Sequence, residues 1–191
     1  MILRVTHFGE SILREPGKPV EHFDTALREL AQNMIETMHA EEGIGLAAQQ
    51  IDRALQLFVV DLSVLSEIDF DYRLDGKKPP LDLIMPHVFV NAVLTPLPGR
   101  ALVAEEGCLS FPGIRGDVPR APAVRVTYQD LDGHAHELET DGWFARVLQH
   151  EFDHTEGVLF IDLMENRARR MLEPRLKRLK RATEESFGAP S

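Results

Sequence analysis

Apolar residues recur along this chain in two rhythms. Between residues 24 and 40 they fall at 27, 30, 34, 35 and 38, a spacing that gathers them on one face of a helix. Asp24 or Thr25 is the expected N-cap, because a short side-chain oxygen there accepts from an otherwise unpaired N–H. The glycine-rich stretch 43–50 ends this rhythm. Three runs rich in Val, Leu and Phe, at 55–62, 88–94 and 123–128, predict strands. Asp132-Gly133 marks a hairpin turn into a further strand at 134–140. The polar segment 65–87, with Pro79-Pro80, reads as a loop excursion. A second helix is expected over 142–154. Its apolar residues Phe144, Val147, Leu148 and Phe152 fall on more than one face, which suits a helix enclosed by the rest of the domain. From 165 onward the pattern is helical and basic, and Pro174 is expected to kink or divide it. Short strands followed by a late central helix predict an α+β fold.

Composition narrows the functional classes. A chain of 191 residues fits one domain, at most with an appended tail. A hydrophobic share of 43% is enough for a sizeable core. The net charge of −10 argues against a general nucleic-acid binder, whose footprint is basic. No apolar run reaches the length of a membrane span, so no membrane partner is expected. The start, Met1 to His7, carries neither a secretory nor a transit pattern. The lone Cys108 has no disulfide partner in the chain, which fits a reducing compartment. The expected location is cytoplasmic.

The candidate chemistry lies in His150-Glu151-Phe152-Asp153-His154. Residues four apart on a helix stack on one face, so both imidazoles can grip one metal ion while Glu151 handles a water bound to it. A metzincin would place a third histidine at 160, where this chain has Phe160. A thermolysin-like enzyme would use a glutamate from a following helix, and Glu165 and Glu173 are candidates by composition alone. The remaining soft ligand is Cys108. A catalytic metal needs three protein ligands and one open position, and Cys108, His150 and His154 would supply them. Taken alone, a thiolate with two imidazoles suits Zn²⁺.

Three segments then line up in order: Gly43-Ile44-Gly45-Leu46-Ala47-Ala48-Gln49-Gln50, Glu106-Gly107-Cys108-Leu109-Ser110, and Gln149 to His154. Together they closely resemble the peptide deformylases, whose signatures are GxGxAAxQ, EGCLS and QHExDH. Each segment alone has an ordinary structural explanation; the combination does not. The resemblance spans residues 1–165, leaving 166–191 as a basic helical tail. The stretch Gly142 to Val147 resembles the organellar-type branch of that family. The resemblance implies antiparallel sheets around a central HExxH helix. It also implies hydrolytic removal of the formyl group from the N-terminal methionine of nascent polypeptides. By position, Cys108, His150 and His154 match the metal ligands, Glu151 the catalytic acid/base and Gln50 the oxyanion-stabilising amide. The implied ion is Fe²⁺, replaceable by Ni²⁺, Co²⁺ or Zn²⁺.

The chemistry expected of these residues is attack of a metal-activated hydroxide on the formyl carbon, with Glu151 moving its proton to the departing amine. Gln50 and the backbone N–H of Leu109 would face the oxyanion. Gly43 and Gly45, lacking a Cβ, are expected to let the substrate backbone approach. A peptide would add to an edge strand at Ile44–Gly45. Ile44, Trp143 and Val147 are candidates for a methionine slot, and Gly107 joins the substrate-binding set. Glu106 is read as either a substrate contact or a partner that holds the site's shape, and Arg115 as either pairing with it or simply solvated. Residues 167–181 hold eight of the 21 basic residues, which suits docking to RNA phosphates at the ribosome. Two other classes stay open. A zinc endopeptidase would cleave casein, and a non-catalytic metal-stabilised binding module would keep its binding in a Glu151→Gln variant.

Overall fold

The computed structural model describes residues 1–65 and 70–188. Helix α1 (Thr25–Ala40) starts where the pattern places it, with the Asp24 carboxylate accepting from the Leu27 N–H at 3.0 Å. Its buried face carries Leu27, Ala31, Met34 and Met38. Eight strands are present among the described residues. These are β1 (Gly45–Ala47), β2 (Leu57–Val60), β3 (Tyr72–Leu74), β4 (His87–Pro96), β5 (Leu102–Gly107), β6 (Arg115–Arg120), β7 (Ala123–Gln129) and β8 (Ala135–Asp141). Helices α2 (Gly142–Thr155), α3 (Phe160–Leu163) and α4 (Asn166–Gly188) follow.

Six strands form one antiparallel sheet in the order β1-β2-β4-β7-β8-β3, and β5 pairs with β6 in a separate hairpin. Helix α2 packs against this sheet. Phe144, Ala145, Val147 and Leu148 of that helix pack into one cluster with Phe58, Val60, Phe89, Val126 and Leu138 of the sheet. Nine of the helix's 14 residues are buried, as expected of a helix with apolar residues all round. The architecture is α+β with a central HExxH helix. No helix among the described residues is long and apolar enough to cross a membrane.

Several expectations are corrected. The segment 65–87 is not simply a loop. Within it β3 pairs with β8 through Tyr72 opposite Thr140, and residues Leu81–Leu83 form a turn of 3₁₀ helix. Residues 66–69 of that segment, and 189–191 of the tail, lie outside the described residues. The β5–β6 hairpin, which carries the cysteine motif, went unrecognised. Pro174 does not divide the last helix, which is continuous from Asn166 to Gly188. Leu172, Leu176 and Leu179 flank the proline and pack into one cluster with Phe111, Phe160 and Ile161. This anchoring on both sides of Pro174 holds the two halves of α4 together. The basic segment is therefore seated on the body along one face: Arg175 donates to the Gly113 carbonyl and Arg169 pairs with Asp162, while Arg167, Arg170, Lys177 and Arg178 are exposed.

Candidate active site

Strand β5 delivers Cys108 at its end, and α2 delivers His150 and His154. The extended N-terminal segment joins the motifs: the Thr6 N–H donates to the Gln50 carbonyl at 2.8 Å and the Phe8 N–H to the Ser110 carbonyl at 2.9 Å. The donor atoms of Cys108, His150 and His154 all lie within 4.8 Å of one another, and Cys108 Sγ is 3.3 Å from His154 Nε2. His150 Nδ1 lies 2.9 Å from Glu106 Oε2. A carboxylate only accepts, so Nδ1 carries the proton and Nε2 keeps the lone pair for a metal. One thiolate and two imidazoles this close, with one ring steered by a carboxylate, fit a three-ligand transition-metal site. Another cluster, Asp130, Asp132 and His134, lies at the β7–β8 turn. There Asp130 accepts from the N–H groups of Asp132 and His134, while Asp132 pairs with Arg28.

Glu106 is buried, and N–H donors occupy both of its oxygens. Oε1 accepts from Arg120 Nε at 2.9 Å and Arg146 Nη1 at 2.7 Å; Oε2 accepts from Arg120 Nη2 at 2.9 Å and from His150. Burial alone would raise its pKa, but His150 and Arg120 outweigh it and hold the carboxyl down at about 2. It is thus held as an anion beside His150; of its two readings, these contacts support the one in which it holds the site's shape, and it also borders the cavity. Arg115 pairs with Glu105 at 3.8 Å and not with Glu106.

Glu151 is in the opposite situation. Burial raises its pKa to about 7, and its Oε2 is buried with no hydrogen-bond partner among the described residues. A carboxyl in that range is suited to accept and return a proton near neutrality. The glycines explain its placement. A Cβ at Gly45 would lie 2.3 Å from Glu151 Oε1, and one at Gly43 would lie 2.8 Å from Leu109 Cδ1. At Gly45 the space left by the missing Cβ takes the Glu151 side chain, and at Gly43 it takes Leu109, while both glycines border the site cavity.

Gln50 sits in the 3₁₀ turn Ala48–Ile51, fully buried. The Ala47 N–H donates to Gln50 Oε1 at 2.8 Å, which fixes the amide orientation. Nε2 then faces Cys108 Sγ at 3.4 Å and Ser110 Oγ at 3.3 Å. All but one of the residues expected to build the site border a single cavity of about 550 Å³. His154 is the exception. It is 1% exposed and lies behind Cys108. Ile44, Trp143 and Val147 supply apolar wall. Sequence reasoning missed Arg120, Arg146 and Asp153, which brace Glu106 and the histidine helix. Arg146 stands one helical turn before His150, a spacing visible in the sequence, but no local signal marks its burial.

Comparison with known proteins agrees with this geometry. The family model described as polypeptide deformylase matches residues 2–170. The peptide deformylase of Opitutus terrae is 52% identical over 184 residues, covering 96% of this chain and 95% of that protein. The crystal structure of the Thermus thermophilus peptide deformylase superposes with a TM-score of 0.79 at 36% identity, over 97% of this chain and 99% of that one. An Arabidopsis thaliana peptide deformylase in complex with an inhibitor gives a TM-score of 0.83 at 31% identity, over 99% and 96%. The chain belongs to the polypeptide deformylase family, metal-dependent hydrolases that remove the N-formyl group from nascent polypeptides.

Proposed function

We propose that this hydrolase removes the formyl group from the N-terminal formyl-methionine of nascent chains, water adding to it so that formate and the free amine are released, with Cys108, His150 and His154 holding a divalent ion and Glu151 carrying the proton. The observation that supports this reading best is the convergence of those three donor groups beside the unpartnered carboxyl oxygen of Glu151. The proposed native ion is Fe²⁺, from the family resemblance, with Zn²⁺, Ni²⁺ and Co²⁺ as substitutes that the same donors accept. When bound, such an ion supplies Lewis-acid polarisation and lowers the pKa of a water toward about 7.

The chain's own residues do the rest. Glu151, buried and poised near neutrality, takes a proton at its carboxylate and hands it to the amine nitrogen that leaves. Gln50 donates from Nε2 to the developing oxyanion while Ala47 holds its Oε1, exchanging one of its long contacts to Cys108 Sγ and Ser110 Oγ for the oxyanion. The backbone N–H of Leu109, beside Cys108, is the second proposed donor. Strand β1 has a neighbour on one side only, so its free edge can take an extended peptide. The methionine side chain enters the apolar wall of Ile44, Trp143 and Val147. A cytoplasmic location is proposed with this reading, supported by the lone cysteine and a nascent-chain substrate.

We also propose that α4 docks near ribosomal RNA. Residues 166–188 hold eight basic side chains against the acidic Glu173, Glu184 and Glu185, and such a surface favours phosphate. The test of the activity is formate release from formyl-Met-Ala-Ser compared with turnover of acetyl-Met-Ala-Ser. Formyl-specific release is expected, and equal turnover of both peptides overturns the reading.

A further inference from the structure

The β5–β6 hairpin carries Cys108 while α2 carries both histidines, so the ligand set depends on how these two elements are fastened. Arg146 spans them. It lies on α2 one turn before His150 and is 6% exposed. Its Nη1 donates to Glu106 Oε1 at 2.7 Å and to the Val118 carbonyl at 2.9 Å, and its Nη2 donates to the Leu102 carbonyl at 2.6 Å. One side chain from the histidine helix therefore grips both strands of the cysteine hairpin, together with the carboxylate that steers His150. Arg120 makes the reciprocal link, from β6 to Asp153 on α2 and to Glu106. Two guanidinium groups and two carboxylates balance in charge. Without Arg146, Glu106 and Asp153 would share the single Arg120, and the Leu102 and Val118 carbonyls would lose these donors.

We propose that Arg146 is a positioning residue for the metal site, fixing the separation of Cys108 from His150 and His154. The inference rests on the metal-ligand reading above. Metal–ligand distances tolerate only about ±0.2 Å, so a small slide of the hairpin along α2 is felt at the metal before it is felt by the fold. A planar guanidinium can serve three acceptors on three residues. A lysine ammonium keeps the charge but not the fork.

The experiment compares wild type, Arg146→Met and Arg146→Lys, each loaded with Co²⁺. It records the rate of metal transfer to excess chelator and the visible absorption of the bound ion, with the melting temperature of the metal-free protein as control. Arg146→Met is expected to release metal about 10- to 100-fold faster with an altered spectrum, and Arg146→Lys to fall between. Release at the wild-type rate with an unchanged spectrum overturns the proposal. So does a lowered melting temperature with wild-type release, which would leave Arg146 a packing residue only. If Arg146→Met fails to fold, the lysine variant decides by the same criteria. Failure of the underlying ligand reading is separate, because Cys108→Ala would then keep its metal whatever Arg146 does.

Discussion

Replacing Gly45 with alanine tests how closely β1 approaches the catalytic carboxyl. The added Cβ would stand 2.3 Å from Glu151 Oε1, 2.7 Å from Cδ and 2.8 Å from Cγ. Gly45 is not in the left-handed region, so the backbone itself tolerates alanine and the whole effect is steric. To regain ordinary contact the carboxyl must withdraw by about 1 Å. Glu151 is only 5% exposed, which leaves it little room. A displacement of that size costs about 100-fold in rate, or about 2.7 kcal/mol of barrier. The overpacking itself costs about 1–3 kcal/mol of stability, which for a chain of this length lowers the melting temperature by roughly 2–4 °C per kcal/mol. The assay is kcat and KM for formate release, with bound metal measured on the same samples. Gly43→Ala is the internal control. Its Cβ meets the end of the flexible Leu109 side chain at 2.8 Å and backbone only at 3.4 Å and beyond, so a smaller loss is expected. A Gly45→Ala enzyme with wild-type kcat refutes the placement of Glu151.

The remaining predictions follow from the same geometry. Gln50→Ala should keep its metal and lose about 10²–10³ in turnover; an unchanged kcat removes Gln50 from the oxyanion role. Hydrogen bonding to Asp75 and then Asp130 raises the His136 pKa above 6.5, so the folded state binds that proton more tightly than the unfolded chain does. This contribution is complete below about 6.5 and fades as pH rises through the raised value. His136→Gln should accordingly shrink the difference in melting temperature between pH 6 and pH 8, and an unaltered difference contradicts the assignment. On α4, reversing the exposed Arg167, Arg170 and Arg178 to glutamate should spare activity on short peptides and abolish co-sedimentation with ribosomes at low salt. Equal co-sedimentation would reduce the basic face to a solvated surface. Point changes are preferable to truncation after Glu165, which would strip Leu172, Leu176 and Leu179 from the core.

Much of this architecture was legible in the sequence, and what was not has identifiable causes. Helix α1 could be read because Leu27, Met34 and Met38 keep helical spacing beneath a capping aspartate. The strands β2, β4 and β7 could be read because they are short apolar runs between turns. The β5–β6 hairpin could not. The one buried residue in Leu102–Gly107 is the charged Glu106, so no apolar alternation marks it. A buried guanidinium has the same problem: Arg146 is covered only because Glu106, 40 positions away, offers it an anion. Within the site, the donor types could be read from the motifs. A second reason for Gly45 could not be read locally, since the Glu151 side chain that needs the space comes from a helix about a hundred residues later in the chain. Pro174 was given its local meaning as a helix breaker, which the packing of Leu172 and Leu176 on either side overrides.

The most direct test of the central account is formate release from formyl-Met-Ala-Ser, measured anaerobically with metal content on the same samples of wild type, Cys108→Ala and Glu151→Gln. Wild type should bind one divalent ion and release formate. Cys108→Ala should lose both the ion and the activity, while Glu151→Gln should keep the ion and lose the activity. A Cys108→Ala protein that retains full metal and turnover would contradict the ligand set, and a fully active Glu151→Gln enzyme would contradict the proton carrier.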